Sequence, residues 1–280
     1  MKRQRWFTGL AVAGQLFLGL ASAGVYYEAK TTGEGRAAKQ QEAFVKAWAS
    51  GEAAKVVFES SANPMAKPGT YLLSTDGGQT MVLVNPEDKT YAKWDLDAMV
   101  HMAAGVTKMM NMDITDFNVK KLEEKPGGLV AGVPTTYYKF RTTYRQTMKF
   151  MMMQRDDRVE EVHELWVAPE LVEKALGVYL RKTPPKTVSE GLNRLMAAEF
   201  EKIKGIPLKM RRVVTTQDKK GNTETNVTTM EVLKLQAMPV PESTFAIPAG
   251  YKEVSLLPSG EGEEGEENPM AKIFGGKKKQ

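Results

Sequence analysis

A long alternation of two kinds of residue runs through 136–153. On one side the alternating residues are mostly aromatic, Met or Thr, whereas the residues between them are largely Lys, Arg and Thr. Successive side chains of a strand point to opposite faces, so this period of two predicts one long antiparallel strand, or two with a bend. The pattern predicts a sheet with one apolar face and one solvated basic face. The basic side chains are Lys139, Arg141, Arg145 and Lys149.

The apolar side of this segment carries six large side chains. They are Tyr138, Phe140, Tyr144, Met148, Phe150 and Met152. Burial of each is worth ~1.5–3 kcal/mol, so an uncovered face would forfeit roughly 9–18 kcal/mol. That sum is comparable with the net stability of a whole domain. Something must therefore cover this face, either protein alone or protein together with a ligand.

Further strands and turns are predicted before and after this segment from β-rich runs bounded by Gly, Pro, Asn and Asp. The predicted strands cover 56–58, 71–75, 80–84, 90–94, 114–123, 159–167, 206–217 and 223–235. The predicted turns lie at 76–78, 85–88, 126–128, 155–157 and 218–222. The arrangement predicts a meander followed by long hairpins.

Four segments show apolar residues at helical spacing, which predicts helices. They lie within 33–55, at 96–111, at 169–183 and at 187–205. The last begins with a capping-box pattern, Thr187 followed by Glu190. The side chains expected to face the apolar strand are Met99, Ala103, Val106, Met110, Leu195, Met196 and Phe200. If the space between helices and sheet is not filled, it is a concave, mostly apolar ligand pocket.

The first 23 residues have the pattern of a secretory signal peptide. Three basic residues among the first five precede an apolar run at 10–20, and 21–23 reads Ala-Ser-Ala before Gly24. The alternative is an uncleaved membrane anchor, against which Gln15 and the short run count. Cleavage would place the protein in the bacterial periplasm.

Composition narrows the class of protein further. The 280-residue chain has no Cys, so an exported domain must depend on its core and not on disulfides. The formal charge of +5 falls to about +2 without the three cations of the signal peptide. This near-neutral balance gives no reason to expect a nucleic-acid partner.

No motif in the sequence supports catalysis or a cofactor. The Gly-rich run 127–132 lacks the Gly-Lys-Ser/Thr of a phosphate loop, so a hairpin turn is favoured. His101 and His163 have no second imidazole or thiolate at ligand spacing, and the acidic residues around His163 favour a solvated charged face over a metal site. A Ser-His-Asp site of distant members stays open, without a nucleophile elbow to support it. We expect no enzyme activity, no metal and no cofactor.

Methionine is unusually frequent, with 17 residues in the chain. The clusters are Met99, Met102, Met109, Met110 and Met112, then Met148, Met151, Met152 and Met153. Three interpretations stay open: filling of the core, a surface that adapts to variable apolar partners, and binding of Cu(I).

Four short runs resemble the periplasmic lipoprotein-carrier (LolA/LolB-like) superfamily, and among its members an uncharacterised bacterial branch. They are 81–86 with 89–91, 164–170, 205–210 and 245–251, and the similarity spans roughly 55–252. The resemblance implies a curved antiparallel sheet, an unclosed half-barrel, with helices in its concave mouth. It also implies acyl chains between sheet and helices, and it brings no catalytic residues.

Together these observations predict an α+β fold, a curved antiparallel half-barrel with helices covering its concave face. The expected segments are a signal peptide (1–23), a tether and amphipathic helix (24–54), a single half-barrel domain (55–257) and a disordered charged tail (258–280). The expected function is periplasmic binding or carriage of a hydrophobic ligand, such as the acyl chains of a lipid or lipoprotein. The alternative is a non-catalytic envelope module with a filled core, which binds an envelope protein or the membrane surface.

Overall fold

Twelve strands form a single sheet in the computed structural model, which describes residues 24–64, 66–95, 113–150, 153–168, 190–201 and 205–255. The strands are β1 (Gly24–Glu34), β2 (Ala43–Ser50), β3 (Ala53–Ser61), β4 (Tyr71–Ser74), β5 (Thr80–Asn85), β6 (Thr90–Asp95), β7 (Asp113–Val130), β8 (Val133–Phe150), β9 (Met153–Ala168), β10 (Ile206–Gln217), β11 (Thr223–Met238) and β12 (Lys252–Glu253). The described helices are α1 (Arg36–Lys39), α2 (Glu190–Glu201) and a 3-10 turn (Glu242–Phe245).

The strand order across the sheet is β12-β6-β5-β4-β3-β2-β1-β11-β10-β9-β8-β7. Neighbours are antiparallel, except that β12 runs parallel to β6. The strand β1 therefore lies inside the sheet, between β2 and β11. This order leaves β7 and β12 as the two edges.

The expected α+β class with covering helices is wrong, because the described residues form mostly one large open sheet with two short α-helices. The segment 24–54, expected to be a tether and a helix, instead supplies β1, α1 and β2. Intrinsic helix propensity favoured a helix there, but tertiary packing overrides it. Ala47 and Ala49 of β2 are fully buried at 0% and 1% exposure. The helices predicted at 96–111 and 169–183 lie outside the described residues.

The turn between β7 and β8 differs from its predicted position. The strand β7 continues through the predicted turn at 126–128, with a register shift between Pro126 and Gly128. The chain reverses instead at Ala131 and Gly132, which have φ angles of 48° and 81°. Positive φ at both central residues is the geometry of a two-residue hairpin turn. The predicted turn at 155–157 is also wrong, since those residues pair with β8 inside β9.

Other predicted elements are confirmed. The strands β4, β5 and β6 form the expected meander, and the Asp76 carboxylate accepts hydrogen bonds from Ser74 Oγ and Thr80 N, each at 2.9 Å. The hairpin of β10 and β11 has its expected loop. The predicted last helix corresponds to α2, and it contacts β7. A Cβ at Gly191 would lie 2.2 Å from the Ile114 carbonyl oxygen, so only glycine permits this close approach.

The segment 239–251 links β11, in the middle of the sheet, to β12 at its edge. On the way Phe245 becomes buried, and Ile247 and Tyr251 pack against an apolar cluster of β4 and β5. That cluster consists of Tyr71, Leu73, Val82 and Val84. The segment therefore covers one face of the meander with apolar side chains.

Candidate ligand-binding face

The strand β8, which contains the alternating segment 136–150, pairs with β9, and β9 pairs with β10. These three strands have two chemically distinct faces. Their registers place Tyr138, Leu165 and Met210 in one row. The next row of the same face holds Phe140, His163 and Arg212. We call this side of the three strands the Phe140 face, and the opposite side the Arg141 face.

An apolar cluster occupies one end of the Phe140 face. Phe140, Leu165 and Val167 form it, and Leu165 and Val167 are each 1% exposed. Tyr138 and Met210 pack against the cluster and stay half-buried. The Tyr138 and Phe140 rings stack with their centroids 6.2 Å apart. The alternation predicted from the sequence thus places these strand residues on one face.

The structure locates only part of the predicted ligand-binding set. Tyr138, Phe140, Tyr144 and Met148 lie on the Phe140 face, and Phe150 ends β8. Leu195 is half-buried on α2, the helix that also carries Met196 and Phe200. Met99, Val106, Met110 and Met152 lie outside the described residues, as does Ala103. Ligand binding by the set stays a prediction.

A buried carboxylate lies on the same face, beside the apolar cluster. Glu161 is 3% exposed, and its Oε2 accepts hydrogen bonds from Arg212 Nη2 at 2.7 Å and Arg212 Nε at 3.0 Å. His163 Nε2 lies 3.0 Å from the same oxygen. Tyr144 donates its hydroxyl to Glu161 Oε1 at 2.8 Å. The Glu161 network therefore joins side chains from β8, β9 and β10.

The electrostatics of the Glu161 network favour a charged carboxylate. Burial alone would raise the pKa of Glu161. The hydrogen bond from His163, the charge and hydrogen bonds of Arg212 and the Tyr144 hydroxyl outweigh it and lower the pKa to about 2. The carboxylate is ionised at neutral pH and fixes the Arg212 guanidinium, whose side chain keeps 43% exposure.

This network was not predicted, because the acidic residues around His163 favoured a solvated charged face. In fact Glu161 and His163 are 3% and 8% exposed. The sequence did contain an indication of burial. Along β9, Glu161 and His163 point to the same side as the apolar residues Val159, Leu165 and Val167. The Arg212 partner lies 51 residues further along the chain, and no local pattern marks it.

The Arg141 face is charged, as predicted, but three of the cations that β8 places on it are paired. Arg141 pairs with Glu160, and Arg145 Nε donates to Asp156 Oδ1 at 2.6 Å. Lys139 Nζ lies 3.8 Å from Glu164, which also accepts from Arg211 at 2.8 Å. The three cations of β8 named here therefore do not form an unneutralised basic surface.

Tyr137, at the start of β8 on the Arg141 face, is buried and contacts β9. Burial raises the pKa of the Tyr137 hydroxyl, and its hydrogen bond to Glu164 at 2.8 Å raises it further. The Tyr137 ring meets Trp166 edge-on, with centroids 4.9 Å apart. These contacts anchor the start of β8 to the end of β9.

Among the described residues, no group of three or more His, Asp or Glu side chains is placed to hold a metal ion. None of the described helices is long and apolar enough to cross a membrane.

The fold defines the described residues as a large, open, mostly antiparallel sheet protein. Residues 146–251 match the model of a domain of unknown function, DUF4412. The match covers β9, α2, β10 and β11 with the segment that crosses the meander. No curated protein matches the chain.

Proposed function

We propose that the protein is a non-catalytic binding or carrier protein of the bacterial periplasm, which takes an amphiphilic ligand such as a lipid or the acyl chains of a lipoprotein. The ligand would lie along the Phe140 face. The observation that carries the proposal is that an apolar cluster and a fixed cation, Arg212, lie next to each other on one face. Ligand sites are typically apolar surfaces with a few placed polar groups.

The apolar part of the ligand would contact the half-buried side chains next to the cluster. Tyr138 and Met210 border Phe140 and Leu165 without being fully covered. Tyr144 and Met148 continue the same face toward the end of β8 and are also half-buried. A flexible thioether and aromatic rings adapt well to acyl chains of different length.

The polar end of the ligand would lie near Arg212. Two of the N–H groups of this guanidinium are engaged by Glu161. Because a guanidinium carries five N–H donors in a rigid fork, donors remain for a carboxylate or phosphate oxygen. The Thr228 position lies directly beside Arg212 in the register of β10 and β11, and it would supply a second polar group.

Native mass spectrometry of protein purified from the periplasm tests this proposal directly. We expect additional mass that organic extraction removes and that fragmentation identifies as lipid. The extracted protein should then regain a fluorescent fatty acid in titration. Protein that carries no lipid and does not bind the probe would refute the proposal.

A matched pair of variants localises the site. Met210→Asp and Val213→Asp each place a carboxylate at a half-buried position of β10, on opposite faces. We expect Met210→Asp to weaken binding of the probe by at least about tenfold, the equivalent of 1.4 kcal/mol, while Val213→Asp binds like the wild type. Circular dichroism must show that both variants are folded. Equal effects of the two variants would exclude the Phe140 face.

The second candidate function is an envelope interaction module with a filled core. It is favoured by the burial of Phe140, Leu165 and Val167, which the protein itself already covers to 8% exposure or less. In that case no lipid is found, and a partner protein is recovered from envelope extracts. Removal of 259–280 then tests whether the charged tail binds that partner, since unchanged recovery would dismiss the tail.

A further inference from the structure

A cleft of about 530 Å³ lies on the Arg141 face, away from the Glu161 network. Its wall is made of side chains from β7 to β11, most of them polar. Two arginines, three threonines and Gln217 contribute hydrogen-bond donors. The volume is within the usual range of ~300–1,000 Å³ for small-molecule sites.

Two arginines lie side by side in this cleft. Arg145 of β8 and Arg158 of β9 are direct partners in the antiparallel register. Like charges in directly opposite positions of a sheet destabilise it, so this pair requires compensation by negative charge.

The acidic groups of the cleft compensate only one of the two arginines. Asp156 accepts two hydrogen bonds from Arg145, at 2.6 Å and 2.5 Å. Asp116, on β7, acts on the same guanidinium through its charge. Asp156 also pairs with Lys219 at 3.0 Å, and Glu160 pairs with Arg141. Asp156 and Glu160 are thus paired with cations other than Arg158, and Asp116 acts through its charge on Arg145.

Arg158 is the arginine of this pair that has no ion-pair partner among the described residues. Its side chain is exposed, and within the described part of the chain it makes no ion pair and no side-chain hydrogen bond. Its whole guanidinium fork is available to an oxyanion, which arginine binds in bidentate geometry. An anion between Arg158 and Arg145 would supply the missing negative charge.

The other residues that line the cleft indicate which groups the rest of the ligand would carry. Gln217 of β10 pairs with Arg158 on one side and with Thr223 of β11 on the other. Thr143 and Thr215 border the same space. These hydroxyl and amide groups can donate and accept, as neutral hydroxyl groups on a ligand require.

We propose that this cleft binds a small polar anion, with a phosphate or carboxylate held by Arg158 and the hydroxyl groups of its carrier held by the threonines and Gln217. An acidic or phosphorylated saccharide has this chemistry. The site lies on the face opposite to the proposed lipid site, so this proposal does not depend on the proposed lipid binding.

Two-dimensional NMR titration tests the proposal with four probes: inorganic phosphate, glucose 6-phosphate, glucuronate and glucose. We expect the three anions to shift amide signals at 143–145 and 215–223 at constant ionic strength, and glucose alone to leave them unchanged. Tighter binding of glucose 6-phosphate than of inorganic phosphate would show that the hydroxyl groups contribute. The order of glucose 6-phosphate and glucuronate would distinguish phosphate from carboxylate as the preferred group.

Arg158→Gln and Arg194→Gln form the matched pair of variants, since both remove an exposed arginine and only the first lies in the cleft. We expect Arg158→Gln to weaken anion binding at least about tenfold, as loss of a charge-assisted bidentate contact would. Arg194→Gln should bind like the wild type. Equal binding by Arg158→Gln and wild type, or no anion-induced shift in the wild type, would overturn the proposal.

A thermal measurement gives a readout that does not depend on NMR signals. Without added anion, Arg158→Gln should melt at a higher temperature than the wild type, because the opposed arginines no longer repel each other. Phosphate should raise the melting temperature of the wild type and leave that of Arg158→Gln unchanged, compared with chloride of the same ionic strength. The same phosphate effect in both proteins would contradict the site.

Discussion

On the Phe140 face of β8 to β10, one buried carboxylate collects donors from three strands. On the Arg141 face of the same strands, the half-exposed Glu160 meets a single cation of the neighbouring strand, Arg141. Glu161 is 3% exposed, whereas the neighbouring Glu160 side chain is 42% exposed. The same residue type therefore has two roles one position apart. Where water is excluded, each polar partner is required; where water enters, pairing adds little.

The largest expected effect concerns the apolar cluster. Leu165→Ala should lower the free energy of unfolding by about 4 kcal/mol, because the side chain is 1% exposed and its removal leaves a cavity. Val162→Ala, at a half-buried position on the Arg141 face of the same strand, should cost about 1 kcal/mol. Urea unfolding followed by circular dichroism measures both. Equal losses would show that the two faces are covered alike.

A smaller effect is expected from the buried carboxylate. Glu161→Ala removes the buried carboxylate that binds Arg212, His163 and the Tyr144 hydroxyl, and it should cost about 3 kcal/mol. The exposure of Arg212 keeps the loss below that of a fully buried pair. Glu160→Ala breaks an exposed ion pair and should cost less than about 1 kcal/mol. The comparison fails if Glu160→Ala destabilises the protein as much as Glu161→Ala.

The third effect is the acid dependence of stability. The pKa of Glu161 is about 2 in the folded protein, below its ordinary value of 4.5. The unfolded chain therefore binds this proton first, and the stabilisation is full above pH 4.5 and is lost as the pH falls toward 2. Over that interval the wild type should lose about 2–3 kcal/mol more than Glu161→Gln. Glu160→Gln is the matched control, and identical acid curves for the wild type and Glu161→Gln would refute the assignment.

The sequence was informative where a side chain's surroundings follow from its own strand. The alternation at 136–150 placed Phe140 and Arg141 on opposite faces, and the structure confirms that assignment. The Asp-Gly-Gly signal located the turn between β4 and β5 for the same reason, since Asp76 bonds to residues within four positions. Local chemistry was sufficient in both places.

The errors occurred where distant contacts decide the outcome. The Ala-rich stretch that became β2 favours a helix by itself, but in the sheet its small side chains fill a buried row. Asp156, assigned to a turn, is held inside β9 by Arg145 and Lys219. The Glu161 network needed Arg212 from another hairpin. No spacing along one strand reveals such partners.

The central position of β1 has a consequence for how the protein is made. The first described strand is bordered by β11, whose pairing joins Gly24 to Met238. Contacts between such distant residues form late, because the entropy cost of closing a long loop must be met before the contacts can stabilise the fold. Until more than two hundred residues have been synthesised, β1 presents one unpaired edge, which is a template for aggregation. This edge closes only when β11 pairs with β1.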